Sequence, residues 1–398
     1  MIRSLLIPTT LIALACNGAT GPAEPAPAGE GLVMWLAVPE STPADADVHV
    51  AGSFNAWNPG ASAYRLTRAE DGGYTIGLPP SVRGSIQFKF TLGSWEQVET
   101  NSGGGEMPNR TYAVPAGGGT WSGTVAAWRD VGAPPEREST RTASVRVLSD
   151  AFAMPQLGRD RRVWLYLPPD YATSGDRRYP VLYMHDGQNL FDQATSYVGE
   201  WGVDETLDSL HAAGELSLIV VGVDHGGTRR FDEYSPWNNP QYGGGEGDEY
   251  VDFLVQTLKP YIDAHYRTLP DRLNTGVAGS SMGGLISFYA ALRYPEIFSR
   301  AGVFSPAFWV VESEVMDWAR DRSPTQLAQR LYFVSGALEG QGDAYARNQE
   351  QMADTLAVAG FVEGEHYAAH VRADGTHSEW FWRREFPPAV LWLFGAQD

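Results

Sequence analysis

Residues Gly279-Ser280-Ser281-Met282-Gly283-Gly284-Leu285 constrain this chain more than any other stretch. They follow the short run Thr275-Gly276-Val277-Ala278 and open an apolar segment, Ile286-Ser287-Phe288-Tyr289-Ala290-Ala291-Leu292. With Ser281 at the centre the pattern is Gly-x-Ser-x-Gly, a strand-turn-helix elbow that exposes a serine hydroxyl. Gly279 and Gly283 carry no side chain, so strand and helix can pass closely through a strained turn. Ser280 does not fit the frame, because Ala278 would stand at the first glycine position. Leu285, Tyr289 and Leu292 recur at helical spacing and Pro295 follows as a stop, so the turn has a helix behind it.

A chain of 398 residues is long for one domain, and a hydrophobic content of 43% can fill two cores. The formal net charge is −19, with Lys89 and Lys259 the only lysines. Such a surface repels phosphate backbones, which excludes nucleic acid as an expected partner. Cys16 is the single cysteine, so no internal disulfide framework exists. Met1-Ile2-Arg3 followed by apolar Leu5–Ala15 reads as an export signal, too short to span a bilayer. Ile12-Ala13-Leu14-Ala15-Cys16 resembles a bacterial lipobox, which implies a lipid on Cys16 and membrane attachment; Ala13-x-Ala15 also fits cleavage with release.

Residues 17–31 are rich in Ala, Pro, Gly and Glu without periodicity and read as a flexible tether. Residues 32–128 carry short alternating runs between turn residues, the pattern of a small all-β, immunoglobulin-like sandwich. Residues 129–142, with Gly132 and Pro134-Pro135, read as a linker. From 143 to 398 near-continuous apolar strands alternate with helical patterns. The strand candidates are Val163–Leu167, Val181–Met184, Leu218–Val223, Thr275–Ala278, Leu331–Ser335 and Tyr367–Arg372, with helices over Tyr250–Ala264 and Asn348–Ala359. This predicts an α/β domain with a doubly wound, mostly parallel sheet.

A serine hydroxyl becomes nucleophilic when a histidine takes its proton and a carboxylate orients the ring. On an α/β-hydrolase sheet the order is Ser, then Asp or Glu, then His. His366, His370 and His377 are the histidines downstream of Ser281. His377 sits in a polar loop, Asp374-Gly375-Thr376-His377-Ser378-Glu379, between strand and helix signals, so it is the candidate base. His366 and His370 fall in an extended element with no third ligand, so no metal site is expected. The acid should follow Leu331–Ser335, which nominates Glu339, with Asp343 as second choice. The oxyanion donors expected are the amide of Met282 and one from Gly187 or Gln188, in the loop after Val181–Met184. His185, Trp201, Arg230, Tyr234 and Trp237 lie near loops after strands, where such sheets bind ligands.

From about Phe152 to Phe394 the chain resembles the esterase family that includes enterochelin esterases and carbohydrate feruloyl and acetyl esterases. The residues that carry the resemblance are Val163–Pro169, Pro180–Asn189, Arg230 with Glu233-Tyr234, Gly279–Gly284 and Gly375–Glu379. The family also resembles mycolyl-type acyltransferases, and its members often show aspartate where Glu339 stands. Ala51-Gly52-Ser53-Phe54-Asn55-Ala56-Trp57-Asn58-Pro59, with Gln87–Phe90, Gly93–Glu96 and Pro108–Tyr112, resembles the starch-binding modules appended to amylolytic enzymes. That resemblance implies that Trp57 and Trp95 stack on glucose rings and that Lys89 and Asn109 meet sugar hydroxyls. Together the two resemblances imply a serine esterase with no cofactor, acting on acyl esters of a carbohydrate or siderophore, beside a glucan-binding module. Acyl transfer to a sugar hydroxyl, and a glycan-binding surface protein without activity, are the alternatives.

Overall fold

The computed structural model describes residues 31–395 except 40, 70–71, 102–104, 106, 130–137, 197–198, 323–328 and 340–343. The expected leader through Cys16, most of the expected tether, much of the expected linker and Asp343 lie outside the described residues.

The front domain is all β. Thr67–Arg68, Tyr74–Leu78, Leu32–Ala37 and Gly119–Thr124 form one sheet in that order, and His49–Gly52, Gly84–Thr91 and Arg110–Val114 form a second. Leu32, Met34 and Leu36 are buried while the residues between them are not, the period of two expected of a strand with one solvated face. They meet Val50, Ile86, Phe88 and Phe90 of the second sheet in one core.

The remainder is built on eight strands: β1 (Val145–Met154), β2 (Arg159–Tyr166), β3 (Val181–His185), β4 (Ile219–Val223), β5 (Thr275–Ser280), β6 (Arg300–Phe304), β7 (Arg330–Gly336) and β8 (Tyr367–Arg372). Their order is β1-β2-β4-β3-β5-β6-β7-β8. β2 pairs antiparallel with both neighbours, and from β4 to β8 all pairing is parallel. Val163 and Leu165 face one core and Trp164 and Tyr166 the other; Leu331 and Phe333 alternate with Tyr332 and Val334 in the same way. Helices therefore cover both faces: Met282–Arg293 and Ala344–Val358 on one, Val203–Ala212 and Glu379–Phe394 on the other.

β1 and β6 are additional to the expected strands. β1 is a half-exposed edge with two register shifts, which break any period in its sequence. β6 is five residues, Arg-Ala-Gly-Val-Phe, too short and too poor in β-branched residues to stand out. The helix expected over Tyr250–Ala264 is in three parts, with a π-turn at Leu254–Leu258 between Gly247–Phe253 and Lys259–His265. Pro260 lacks an amide and its ring would crowd the preceding turn, and the wider π-turn accommodates it.

Candidate active site

β5 ends at Ser280 and the helix Met282–Arg293 starts two residues later, with Ser281 between them at φ 58°, ψ −120°. That backbone is unfavourable for a side-chain-bearing residue and holds the hydroxyl out of both elements. The Ser281 N–H donates to Phe304 O at 2.9 Å, while its carbonyl accepts from Ala307 N at 2.9 Å and Leu285 N at 3.1 Å. These bonds tie the turn to the end of β6. Gly279 must be glycine, because a Cβ there would lie 2.9 Å from the backbone carbonyl of Gly283.

Glu339 and His377 come from adjacent loops. Leu338 N donates to Gly375 O at 3.0 Å, and a Cβ on Gly336 would overlap the Gly375 backbone, so the two loops touch main chain to main chain. This close approach delivers His377 Nδ1 to 3.0 Å from Glu339 Oε2. Glu339 is fully buried. Its other oxygen accepts from Ser305 Oγ at 2.7 Å and Gly336 N at 2.8 Å, so the charge is compensated without water. The Trp382 indole N–H donates to Ser305 Oγ at 2.8 Å. Trp382 also meets the His377 ring edge-on at 5.1 Å, and Tyr345 lies tilted against the ring at 4.4 Å. The Tyr345 hydroxyl lies beside that of Ser281, so Tyr345 spans the gap between elbow and imidazole. Burial pushes the Tyr345 phenol well above its ordinary range, which keeps it neutral.

The loop after β3 starts with Asp186 in the left-handed region, φ 56°, followed by the tight turn Gly187–Asn189. Internal bonds of this turn begin with the Asn189 and Leu190 amides, leaving those of Gly187 and Gln188 at its leading end. A bidentate Arg230 braces the loop, with Nε to Asp186 Oδ1 at 2.7 Å and Nη2 to Oδ2 at 2.8 Å. Burial raises the Asp186 carboxyl, but Arg230 outweighs it and brings it below the usual carboxylate range. Arg230 Nη2 also reaches Ser280 O at 3.4 Å, which links this loop to the elbow.

Several residues expected around a substrate are engaged in contacts within the fold. His185 is buried at the end of β3, its Nδ1 2.8 Å from Tyr250 Oη, and burial pushes its pKa down to about 3. Tyr234 is fully buried, and its hydroxyl accepts from the Asp186 amide. Trp201 packs on Phe304, Trp382 and Phe386 in the core. Trp237 packs on Tyr289 and Trp318. Their ring areas fill the spaces between sheet, helices and loops, a larger hydrophobic gain than exposure at a loop would give. Arg230 is a brace rather than a free cation. Ser305, Tyr345 and Trp382 are neighbours of Glu339 and His377 that the sequence reading did not nominate. Ser305 sits just past β6, so recognising that strand would have pointed to it.

In the front domain, Asn55 accepts from Gly52 N at 2.8 Å and donates to Val50 O at 2.9 Å, pinning the loop so that Trp57 sits at φ 59°. The Trp57 and Trp95 rings are neighbours, 6.3 Å apart and tilted by 38°, both half-buried. Asn109 Nδ2 donates to Gln87 Oε1 at 3.3 Å. Lys89 is only 5% exposed, so little of it is open to the sugar hydroxyls that the resemblance places there.

Residues 154–393 match the family model described as Esterase. An α-amylase of Niallia circulans is 42% identical over 104 residues, which is 26% of this chain and 8% of that protein. An endo-1,4-beta-xylanase/feruloyl esterase of Xylanibacter ruminicola is 30% identical over 169 residues, 42% of this chain and 22% of that protein. The chain thus spans under a quarter of either relative. The enterobactin esterase of Shigella flexneri has the same fold at a TM-score of 0.52 and 18% identity, over 91% of this chain and 92% of that one. With the family model covering more than half of its length, the chain belongs to the Esterase family.

Proposed function

We propose that the protein is a serine carboxylic-ester hydrolase whose nucleophile is Ser281, base His377 and acid Glu339. Ser281 Oγ attacks the ester carbonyl as His377 Nε2 takes its proton, and Glu339 stabilises the imidazolium from the Nδ1 side. The Met282 amide and one from Gly187 or Gln188 receive the oxyanion. Collapse of the tetrahedral intermediate expels the alcohol, which takes the proton from His377. Water, deprotonated by the same imidazole, then releases the acid and restores the serine. No cofactor enters these steps. The observation that carries the reading is the buried Glu339 carboxylate 3.0 Å from His377 Nδ1, with Tyr345 bridging that ring to a serine held at φ 58°.

The substrate class in this reading is an acyl ester on a carbohydrate or siderophore, and the front domain is a glucan-binding module using Trp57, Trp95 and Asn109. Similarity to an amylase segment and to a xylanase/feruloyl esterase supports the carbohydrate side. The reading also takes the chain to be exported, by the leader that ends at Cys16. Aryl acetate turnover by wild type and Ser281→Ala tests the core of it. Loss of nearly all turnover with retained glucan binding is expected, and equal rates would overturn the assignment.

A further inference from the structure

The front domain meets the rim of the candidate active site through one hydrogen bond and flanks it at two further places. The Gln87 side-chain amide donates to the Leu338 carbonyl at 2.8 Å, one residue before Glu339. Burial lowers the His225 pKa, and Glu96, next to Trp95, weakly opposes this from the front domain. The His225 amide in turn donates to Gln188 Oε1 at 3.2 Å, in the expected oxyanion loop. Arg129, at the end of the last front-domain strand, lines a cavity of about 260 Å³ with Glu200, Glu379, Trp380 and Arg383. Glu379 is two residues beyond His377. The front domain therefore touches the Glu339 loop through Gln87 and flanks the loops that carry Gln188 and His377, on the side of the sheet where Ser281 stands.

We infer that the front domain is the second wall of the substrate cleft, shaped for an ester-bearing neutral polysaccharide that lies on Trp57 and Trp95 while presenting an acyl group to Ser281. The inference rests on the proposed esterase reading and adds the substrate geometry to it. Asn109 bonds to Gln87, the same residue that touches the acid loop, so the sugar-facing polar group and the catalytic rim are adjacent. Trp57 and Trp95 offer neighbouring ring faces suited to the apolar face of a sugar. Along the rim Leu338 and Trp380 stand 52% and 48% exposed, apolar surface that a sugar backbone would cover. A net charge of −19 disfavours polyanionic glycans, which leaves neutral ones. A small ester that fits within the hydrolase domain would make no use of these features.

A length series of ester-bearing soluble oligosaccharides, hydrolysed by the full chain, tests the inference. Each kcat/KM is divided by that for aryl acetate on the same protein. In the wild type this ratio should rise with chain length, mainly through KM, until the oligosaccharide reaches the tryptophans. Trp95→Ala should remove that rise, lowering the plateau by about tenfold, and Trp95→Phe should restore much of it. A ratio independent of length, or a rise that Trp95→Ala leaves intact, overturns the shared cleft. An effect confined to insoluble polymer also overturns it, because tethering at high effective concentration would then suffice. Failure of the nucleophile assignment looks different: aryl acetate turnover would survive in Ser281→Ala while the length dependence persisted.

Discussion

Ser305→Ala removes a hydroxyl that stands between Glu339 and Trp382, and its cost can be worked from the contacts. The hydroxyl donates to Glu339 Oε1 at 2.7 Å, one of three donors on a fully buried carboxylate, the others being Gly336 N and His377 Nδ1. Loss of a hydrogen bond to a charged group costs about 2 kcal/mol, and the stranded Trp382 N–H adds about 1 kcal/mol. The sum of about 3 kcal/mol corresponds to a Tm lower by roughly 6–12 °C for a domain of this size. Calorimetric melting reads it directly. Turnover of aryl acetate should fall about tenfold in kcat with KM little changed, since the carboxylate that orients His377 loses an anchor without losing its charge. Ser305 has φ 40°, so Ser305→Gly deletes the same hydroxyl while relieving backbone strain. It should melt above Ser305→Ala by the equivalent of about 1 kcal/mol. If Ser305→Ala melts and turns over as wild type does, the buried network does not hold Glu339 in place.

Other perturbations test separate parts of the site. His185 has its pKa pushed down to about 3 by burial, so between that value and 6.5 the unfolded chain binds the proton and the native one does not. Stability should therefore fall as pH drops below about 6.5, by about 3 kcal/mol at pH 4.5; urea melts of His185→Gln should lose that share of the slope. Gly279→Ala places a Cβ 2.9 Å from the Gly283 backbone, and should cost about 2–3 kcal/mol in melting experiments with a large loss of turnover; wild-type behaviour would contradict the close-packed elbow. Arg230→Met leaves the Asp186 carboxylate buried without its partner and should destabilise by about 3 kcal/mol. Adding Asp186→Asn to Arg230→Met should recover part of that loss, and a double variant no better than the single would refute the pairing.

How much of this was legible in the sequence depended on the range over which each signal acts. The elbow was legible because its constraint is local: a strand, a strained serine and a helix need glycine at fixed positions, and Gly279 and Gly283 stand there. The parallel sheet was legible from apolar runs buried on both faces, as at Val181–His185 and Ile219–Val223. Strand β1 was not, since bulges and a solvated edge erase its period. Loop aromatics were left undecided for a related reason. A tryptophan after a strand suits a ligand or a core equally well in sequence, and Trp201 is in the core because Phe304 and Trp382 converge on it from distant segments.

Local pattern alone specified the elbow, the alternation of strand and helix, and the set of residues from which a nucleophile, an acid and a base could be drawn. The tertiary structure decided which carboxylate faces His377, because that pairing depends on Gly336 and Gly375 letting two loops touch, a contact between segments about forty residues apart. It also decided that Ser305, Tyr345 and Trp382 stand around the Glu339–His377 pair, and that Gln87 of the front domain rests on the loop that carries Glu339. Spacing along a chain records backbone geometry over a few residues; which side chains share a buried volume is set by packing, and packing is settled between segments the sequence holds far apart.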